Sequence, residues 1–284
     1  MNAYGSPRRG GPQVPQGCLV AMLRPRAAAS PFFSRIAAMK PWTKPAKPGY
    51  YTKVGIKAVG FDLDGTLYPG RLMYLFSADL ALRHPALLSA YGAARRTLHA
   101  EARLESGEAP RSSPYPASSF RDRQAALIAA SLGIDKAEAA RAVEQLIYAA
   151  MAERFRFIKP FQGVLPCLEA LRSSGLRLGL LSDLPPPRKT ALLGLEGRFD
   201  ALLCSEDSGA LKPARQPFLA LAEALGTEPG SILYVGNKRE YDIEGAKAAG
   251  MMAALMGRGK APHADFVFRR WEELSTWILE RSEA

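Results

Sequence analysis

Asp62 and Asp64 stand two residues apart in FDLDGTLY, the first place along the chain where the residue types and their spacing suggest chemistry. If a strand ends there and the chain then coils, both carboxylates turn toward one site. A carboxylate can attack phosphorus to form an acyl phosphate, which splits one hard hydrolysis into two easier steps. A second carboxylate can protonate the leaving oxygen and later deprotonate water. Two carboxylates beside a phosphate dianion repel one another, so such a site calls for a hard cation, and Mg²⁺ suits oxygen ligands shared with phosphate. Further along, Ser182 in LLSD and Lys212 in GALKP offer a neutral and a charged donor to phosphoryl oxygens. Asn237 and Asp242 lie in YVGNKREYD, with the asparagine where a third acid would be expected.

These groups act together only if the elements before them end at one place. Val54–Asp62 is a mostly apolar run closed by the turn chemistry of Asp64-Gly65 and reads as a buried strand. Leu176–Ser182, Ala201–Cys204 and Ile232–Gly236 read the same way, and Met252–Met256 is a weaker fifth. Helical stretches such as Val164–Ser173 and Gln216–Leu225 lie between them, and this alternation predicts a parallel sheet covered on both faces. Open sheets of that kind bind ligands beyond the carboxyl ends of their strands. The first strand delivers Asp62 and Asp64 there, the second Ser182, the loop after the third Lys212, and the fourth Gly236 and Asn237, with Asp242 opening the next helix. Taken singly, each has an ordinary explanation. Asp64-Gly65 could be a turn, Asp242 a helix cap, Ser182 a loop residue and Lys212 a solvated charge. Their convergence on one edge favours a shared site.

Residues 71–158 break the alternation and show only helical periodicity. Asp135 with Glu138 resembles a capping box, followed by Val143, Leu146, Ile147 and Ala150 on one face. Ser106–Ser119 reads as a loop. The fold class is therefore α/β: a three-layer, Rossmann-like parallel sheet core over 51–70 and 159–284, with an inserted all-helical cap at 71–158.

The chain of 284 residues carries a formal charge of +11, but residues 1–61 hold ten basic and no acidic residues. The basic signal belongs to a segment rich in Pro, Gly, Arg and Ala, whose first 50 residues read as disordered. A polyanion-binding tail, an Arg-rich targeting peptide and an upstream start with Met39 as the true first residue all compete to explain it, and it is assigned no function. The rest is nearly neutral, so no specific nucleic-acid binding is expected of the core. No apolar run is long enough to cross a bilayer. The 3 widely spaced cysteines, Cys18, Cys167 and Cys204, point to a reducing compartment and a cytoplasmic location. With only His84, His99 and His263 beside them, a zinc site is not expected.

FDLDGTLY, LLSD, the lysine of GALKPARQPF and YVGNKREYDIEGAKAAGM, in that order, resemble the four motifs of the haloacid-dehalogenase-like hydrolases over roughly residues 55–257. The spacing is similar to that of the subgroup whose helical cap follows the first motif. The resemblance implies that Asp62 is the nucleophile, and that Asp64 is the general acid/base and a Mg²⁺ ligand through its main-chain carbonyl. It places Thr66, Ser182, the Asp183 backbone and Lys212 on phosphate, and Asp62, Asp64, Asn237 and Asp242 around the metal. Asn237 departs from the more usual acid and removes a unit of charge. Asp183 stands where an amide is frequent, ahead of Pro185-Pro186-Pro187, so its carboxylate must turn away. Within the family, an acid at position 64 implies phosphate ester hydrolysis over dehalogenation. Residues 71–135 contain no lysine, against the phosphonate-cleaving branch. The expected activity is Mg²⁺-dependent hydrolysis of a small phosphorylated metabolite, with Arg71 a weak candidate for contacting the substrate. The alternative is a catalytically weak or inactive phosphate-binding regulatory protein of the same fold. A phosphomutase would share the same core residues.

Overall fold

A parallel strand covered on both faces has no solvent side, so its sequence is a run of apolar residues rather than an alternation. Six such runs form one sheet in the computed structural model, which describes residues 55–106, 117–259 and 261–282. The strands are β1 (Ala58–Phe61), β2 (Arg177–Ser182), β3 (Ala201–Cys204), β4 (Ile232–Gly236), β5 (Met252–Met256) and β6 (Phe266–Phe268). All neighbours are parallel, in the order β3-β2-β1-β4-β5-β6. The first strand is shorter than the expected Val54–Asp62, of which Val54 falls outside the described residues. The sixth was not anticipated: at three residues it is too short for any period to register.

Helices α1 (Gly70–Phe76), α2 (Ala78–Arg83), α3 (Pro85–Ser106), α4 (Ala117–Leu132), α5 (Lys136–Ala142) and α6 (Ala150–Glu153) occupy the stretch between β1 and β2. Asp135 caps α5 through its Oδ1, which accepts from the Ala137 and Glu138 amides. A π turn, Val143–Ala149, links α5 to α6. Val143 and Ile147 are buried on the expected face, with Leu146 and Ala150 half-buried. The expected loop at 106–119 is helical at both margins, and its middle lies outside the described residues, as does the segment 1–50.

The remaining helices are α7 (Val164–Ser173), α8 (Pro187–Leu192), α9 (Arg215–Ala224), α10 (Glu244–Ala248) and α11 (Trp271–Leu279). Alternate strand residues divide between two cores. Val59, Phe61, Leu233 and Val235 pack with Leu168 and Leu171 of α7 and Trp271, Leu274 and Ile278 of α11. Ala58, Ile232 and Tyr234 pack with Phe218 and Leu221 of α9 and Ala246 of α10 on the other face. Gly60 and Gly179 are register partners on β1 and β2, and a Cβ on either would lie 2.6 Å from the Leu221 side chain. The paired glycines therefore let α9 lie directly against the sheet. Among the described residues Cys167 and Cys204 are free and buried, and no helix is long and apolar enough to cross a membrane.

Candidate active site

The strand order reverses between β1 and β4, and the crevice at such a switch point, beyond the carboxyl ends, is where open α/β sheets bind ligands. Asp62 directly follows β1 and is 5% exposed. Its Oδ1 accepts from Lys212 Nζ at 2.6 Å and its Oδ2 from Thr66 Oγ1 at 2.6 Å. Burial pushes the Asp62 carboxyl up to about 7; Lys212 opposes that rise, while Asp242 and Asp64 add to it.

Asp64 has a different environment. Lys189 Nζ lies 2.7 Å from both of its oxygens, Tyr68 donates to Oδ1 at 2.6 Å and Ser182 Oγ donates to Oδ2 at 2.9 Å. Burial raises this carboxyl, but Lys189 first, then Tyr68 and Ser182, outweigh it and hold the group below its ordinary value. Two carboxyls two residues apart are thus driven in opposite directions by their different surroundings.

Lys212 is 3% exposed and ties two loops together, with Nζ 2.6 Å from Asp62 and 2.7 Å from Asp242. Tyr234 steadies it, accepting from Nζ at 3.3 Å while donating to the Leu181 carbonyl. Asp242 sits on a π turn, Arg239–Ile243, and its Oδ2 accepts from the Asn237 and Lys238 amides. The Asn237 Oδ1 is buried without a hydrogen-bond partner among the described residues. Gly65, in the left-handed region at φ 94°, lets the Asp64 loop pass beside it; a Cβ there would lie 2.5 Å from Asn237 Nδ2.

The unpartnered Asn237 Oδ1, on a residue whose main-chain amide donates to the Asp242 carboxylate, is an oxygen donor of the kind a hard cation takes. The fit comes from oxygen donors of mixed kinds: no three His, Cys, Asp or Glu side chains among the described residues form a ligand group. Lys212 already engages Asp62 and Asp242, so a cation there would share both carboxylates with the ammonium.

Helix α3 lies across this edge and meets it with residues spaced by four, one face of a helix. Arg95 Nη1 reaches Glu206 Oε1 at 2.5 Å and its Nη2 donates to the Asp183 carbonyl at 2.8 Å. His99 Nδ1 is 2.9 Å from the Lys212 carbonyl, and its ring packs on Tyr241 with centroids 4.6 Å apart. Arg103 pairs with Glu240 and lies over the Tyr241 ring. Successive turns of α3 therefore touch the loops after β2, β3 and β4. Tyr148, from the π turn, donates to Glu206 at 2.9 Å and Arg121 of α4 at 3.3 Å, so that fully buried carboxylate is held from three elements, α3 included. Between the sheet edge and the helices is a cavity of about 440 Å³ lined by Asp62, Asp64, Lys212 and Asp242 at one end.

The expected site residues fall in one cluster with one exception. Asp62, Asp64, Thr66, Ser182, Lys212, Asn237 and Asp242 are within one network, and the Asp183 carboxylate turns to the Lys212 amide and His99. Arg71 is exposed on α1 and does not line the cavity; Arg95 does. Lys189, Tyr68, Arg95, His99 and Glu206 were not anticipated. Tyr68 carried a local signal, sitting four residues after Asp64 inside FDLDGTLY, whereas nothing in the sequence around Lys189 or Glu206 marks them.

The model of the haloacid dehalogenase-like hydrolase family matches residues 56–250. The chain is 31% identical to a glyceraldehyde 3-phosphate phosphatase of Methanopyrus kandleri over 229 residues, 80% of this chain and 94% of that protein. It is 30% identical to a phosphoglycolate phosphatase of Shigella dysenteriae over 210 residues, 69% of this chain and 79% of the other. Among solved structures, a 2-haloacid dehalogenase from Pseudomonas syringae pv. Tomato DC3000 superposes with a TM-score of 0.56 at 25% identity, covering 80% of this chain and 99% of that one.

Proposed function

The chain belongs to the haloacid dehalogenase-like hydrolases, and on that premise we propose that it is a phosphoric monoester hydrolase acting on a small phosphorylated metabolite through an aspartyl phosphate at Asp62. One observation carries this reading. Asp62 and Asp64 line one cavity, and each carboxyl is oriented by its own donors, Lys212 and Thr66 on the first and Lys189, Tyr68 and Ser182 on the second.

In the first step an Asp62 oxygen attacks phosphorus, the ester P–O bond breaks, and the electron pair leaves with the alcohol oxygen. That oxygen takes its proton from the Asp64 carboxyl; Lys189 holds Asp64 ionised before substrate enters, and the negative charge of the entering phosphate favours its protonated form. In the second step the Asp64 carboxylate takes a proton from water, whose oxygen attacks phosphorus and releases phosphate from Asp62. Lys212, Ser182, Thr66 and the Asp183 amide stand ready to donate to the phosphoryl oxygens as negative charge builds. Asp62, the Asp64 main-chain carbonyl, Asn237 Oδ1 and Asp242 are the residues that would hold Mg²⁺, which supplies positive charge between carboxylate and phosphate. An acid retained at position 64 favours ester hydrolysis over dehalogenation, because halide leaves without a proton. The helices from Gly70 to Phe157 act as a cap, excluding water from the cavity and setting specificity.

Hydrolysis of p-nitrophenyl phosphate against Mg²⁺ concentration tests this. Native turnover should rise with Mg²⁺, Asn237→Asp should saturate at lower metal, and Asp62→Asn should lose turnover while keeping its fold. Retained turnover in Asp62→Asn would overturn the mechanism. Phosphate binding with no hydrolysis in the native protein would favour a regulatory role, for which Asn237 and the Lys212 bridge across both carboxylates are the supporting observations.

A further inference from the structure

The cavity is chemically divided. Its catalytic end is charged, but the wall formed by the inserted helices and the loop after β2 is apolar: Met73, Leu80, Leu88, Ile147, Met151 and Leu184. Ser77 and Tyr91 also line the cavity, and their hydroxyls are buried with no partner among the described residues; Ser77 is 7% exposed. A buried hydroxyl without a hydrogen bond is destabilising, and a ligand group that completes it is favoured over one that does not.

The cations that line the cavity are already engaged. Arg95 is held by Glu206 and the Asp183 carbonyl, and Lys212 by Asp62 and Asp242. Lys238 is exposed and lies over the Tyr241 ring. A substrate whose alcohol ends in a carboxylate would bring that charge against methyl groups, which is costly without a partner. A two- or three-carbon alcohol would also leave most of a cavity of about 440 Å³ wet, since pockets of roughly 300–1,000 Å³ suit ligands of drug size.

We propose that the site takes the phosphate monoester of an apolar alcohol, aromatic or branched alkyl, carrying a hydrogen-bonding group that meets Ser77 and Tyr91. The proposal rests on the phosphatase reading and departs from the short polar substrates in the relatives' names.

The test compares kcat/KM of the full chain, with Mg²⁺, for benzyl phosphate, 3-hydroxybenzyl phosphate, 2-phosphoglycolate and glyceraldehyde 3-phosphate. One methylene in an apolar pocket is worth roughly 10–200-fold, so the benzyl esters should exceed the short ones by at least about tenfold. The hydroxybenzyl ester should lead, and its advantage over benzyl should vanish in Ser77→Ala/Tyr91→Phe. Equal or better use of the short esters would overturn the proposal while leaving the phosphatase reading intact. If no ester turns over, the phosphatase reading fails, and calorimetric titration with benzylphosphonate and phosphonoacetate then decides the ligand class. Tighter benzylphosphonate binding supports the apolar site, and equal or weaker binding overturns it.

Discussion

At the scale of single residues, the opposed ionisation of Asp62 and Asp64 leaves a signature in stability. The folded Asp62 carboxyl is raised from 3.8 to about 7, chiefly by burial. Between those values the folded protein holds a proton that the unfolded chain has released, so stability falls as pH rises through the window. Asp64 and Asp183 are depressed, so their contribution is present above the unfolded value of 3.8 and lost below it, in a separate range. Urea denaturation without divalent cations should therefore show a decline of the order of 2–4 kcal/mol between about pH 4 and 7. Asp62→Asn should flatten that decline. Lys189 gives a second prediction. It is 4% exposed, touches both oxygens of Asp64 and lies over the Phe155 ring. Replacing it by methionine should keep the fold and lower kcat by about 10–100-fold, the usual cost of removing a partner that orients a functional group. An unchanged kcat would show that Tyr68 and Ser182 suffice. The two aspartates were legible because they interrupt an apolar run within eight residues. Lys189 was not, because its partner is 125 positions away and nothing nearby in sequence marks a lysine after three prolines as buried.

At the scale of elements, the apolar patterns of β1 to β5 identified the sheet, and its carboxyl edge followed from where those runs meet polar residues. The contribution of α3 was hidden, since four-residue spacing of Arg95, His99 and Arg103 is equally what a solvated helix face carries. Their function comes from loops that reach them from 88 to 137 positions away. The π turns at Val143–Ala149 and Arg239–Ile243 were equally unreadable, because a widened turn barely changes the order of apolar residues, yet such turns often sit at functional sites. One re-aims Tyr148 at Glu206 and the other carries Asp242. The coupling of α3 to the sheet edge can be measured. Arg95 is 11% exposed at its side chain and Glu206 is fully buried, so Arg95→Met leaves a carboxylate short of its main counter-charge. Breaking one side of such a pair costs about 3–5 kcal/mol. Arg121 and Tyr148 remain on Glu206, which places the expected loss at the lower end. In Arg95→Met/Glu206→Gln most of that loss should be recovered. If kcat falls in the single variant and stays low in the double, the Arg95 bond to the Asp183 carbonyl matters for catalysis beyond stability.

At the scale of the whole molecule, charge and chemistry are separated along the chain. Ten basic residues and no acid lie in 1–61, while the remainder holds 28 basic and 27 acidic residues and a net charge of +1. The cations of the catalytic region are neutralised locally, Lys212 by two carboxylates and Lys189 by one. The +11 of the full chain therefore says little about the ligand of the cavity. Polyanion affinity and ester turnover should accordingly separate on truncation. A chain starting at Tyr51 retains every residue of the catalytic cluster, and 51–284 forms one compact unit. It should keep kcat/KM for a small ester within about twofold, since surface changes away from a site have small effects. The full chain should bind heparin with an affinity that falls steeply with salt, the slope growing by roughly 0.9 for each neutralised charge on a duplex-like polyanion. The truncated chain should lose that binding at all but the lowest salt. Persistent, salt-sensitive heparin binding after truncation would instead locate a basic surface on the nearly neutral body. A matching fall in ester turnover would mean that the basic segment takes part in substrate capture.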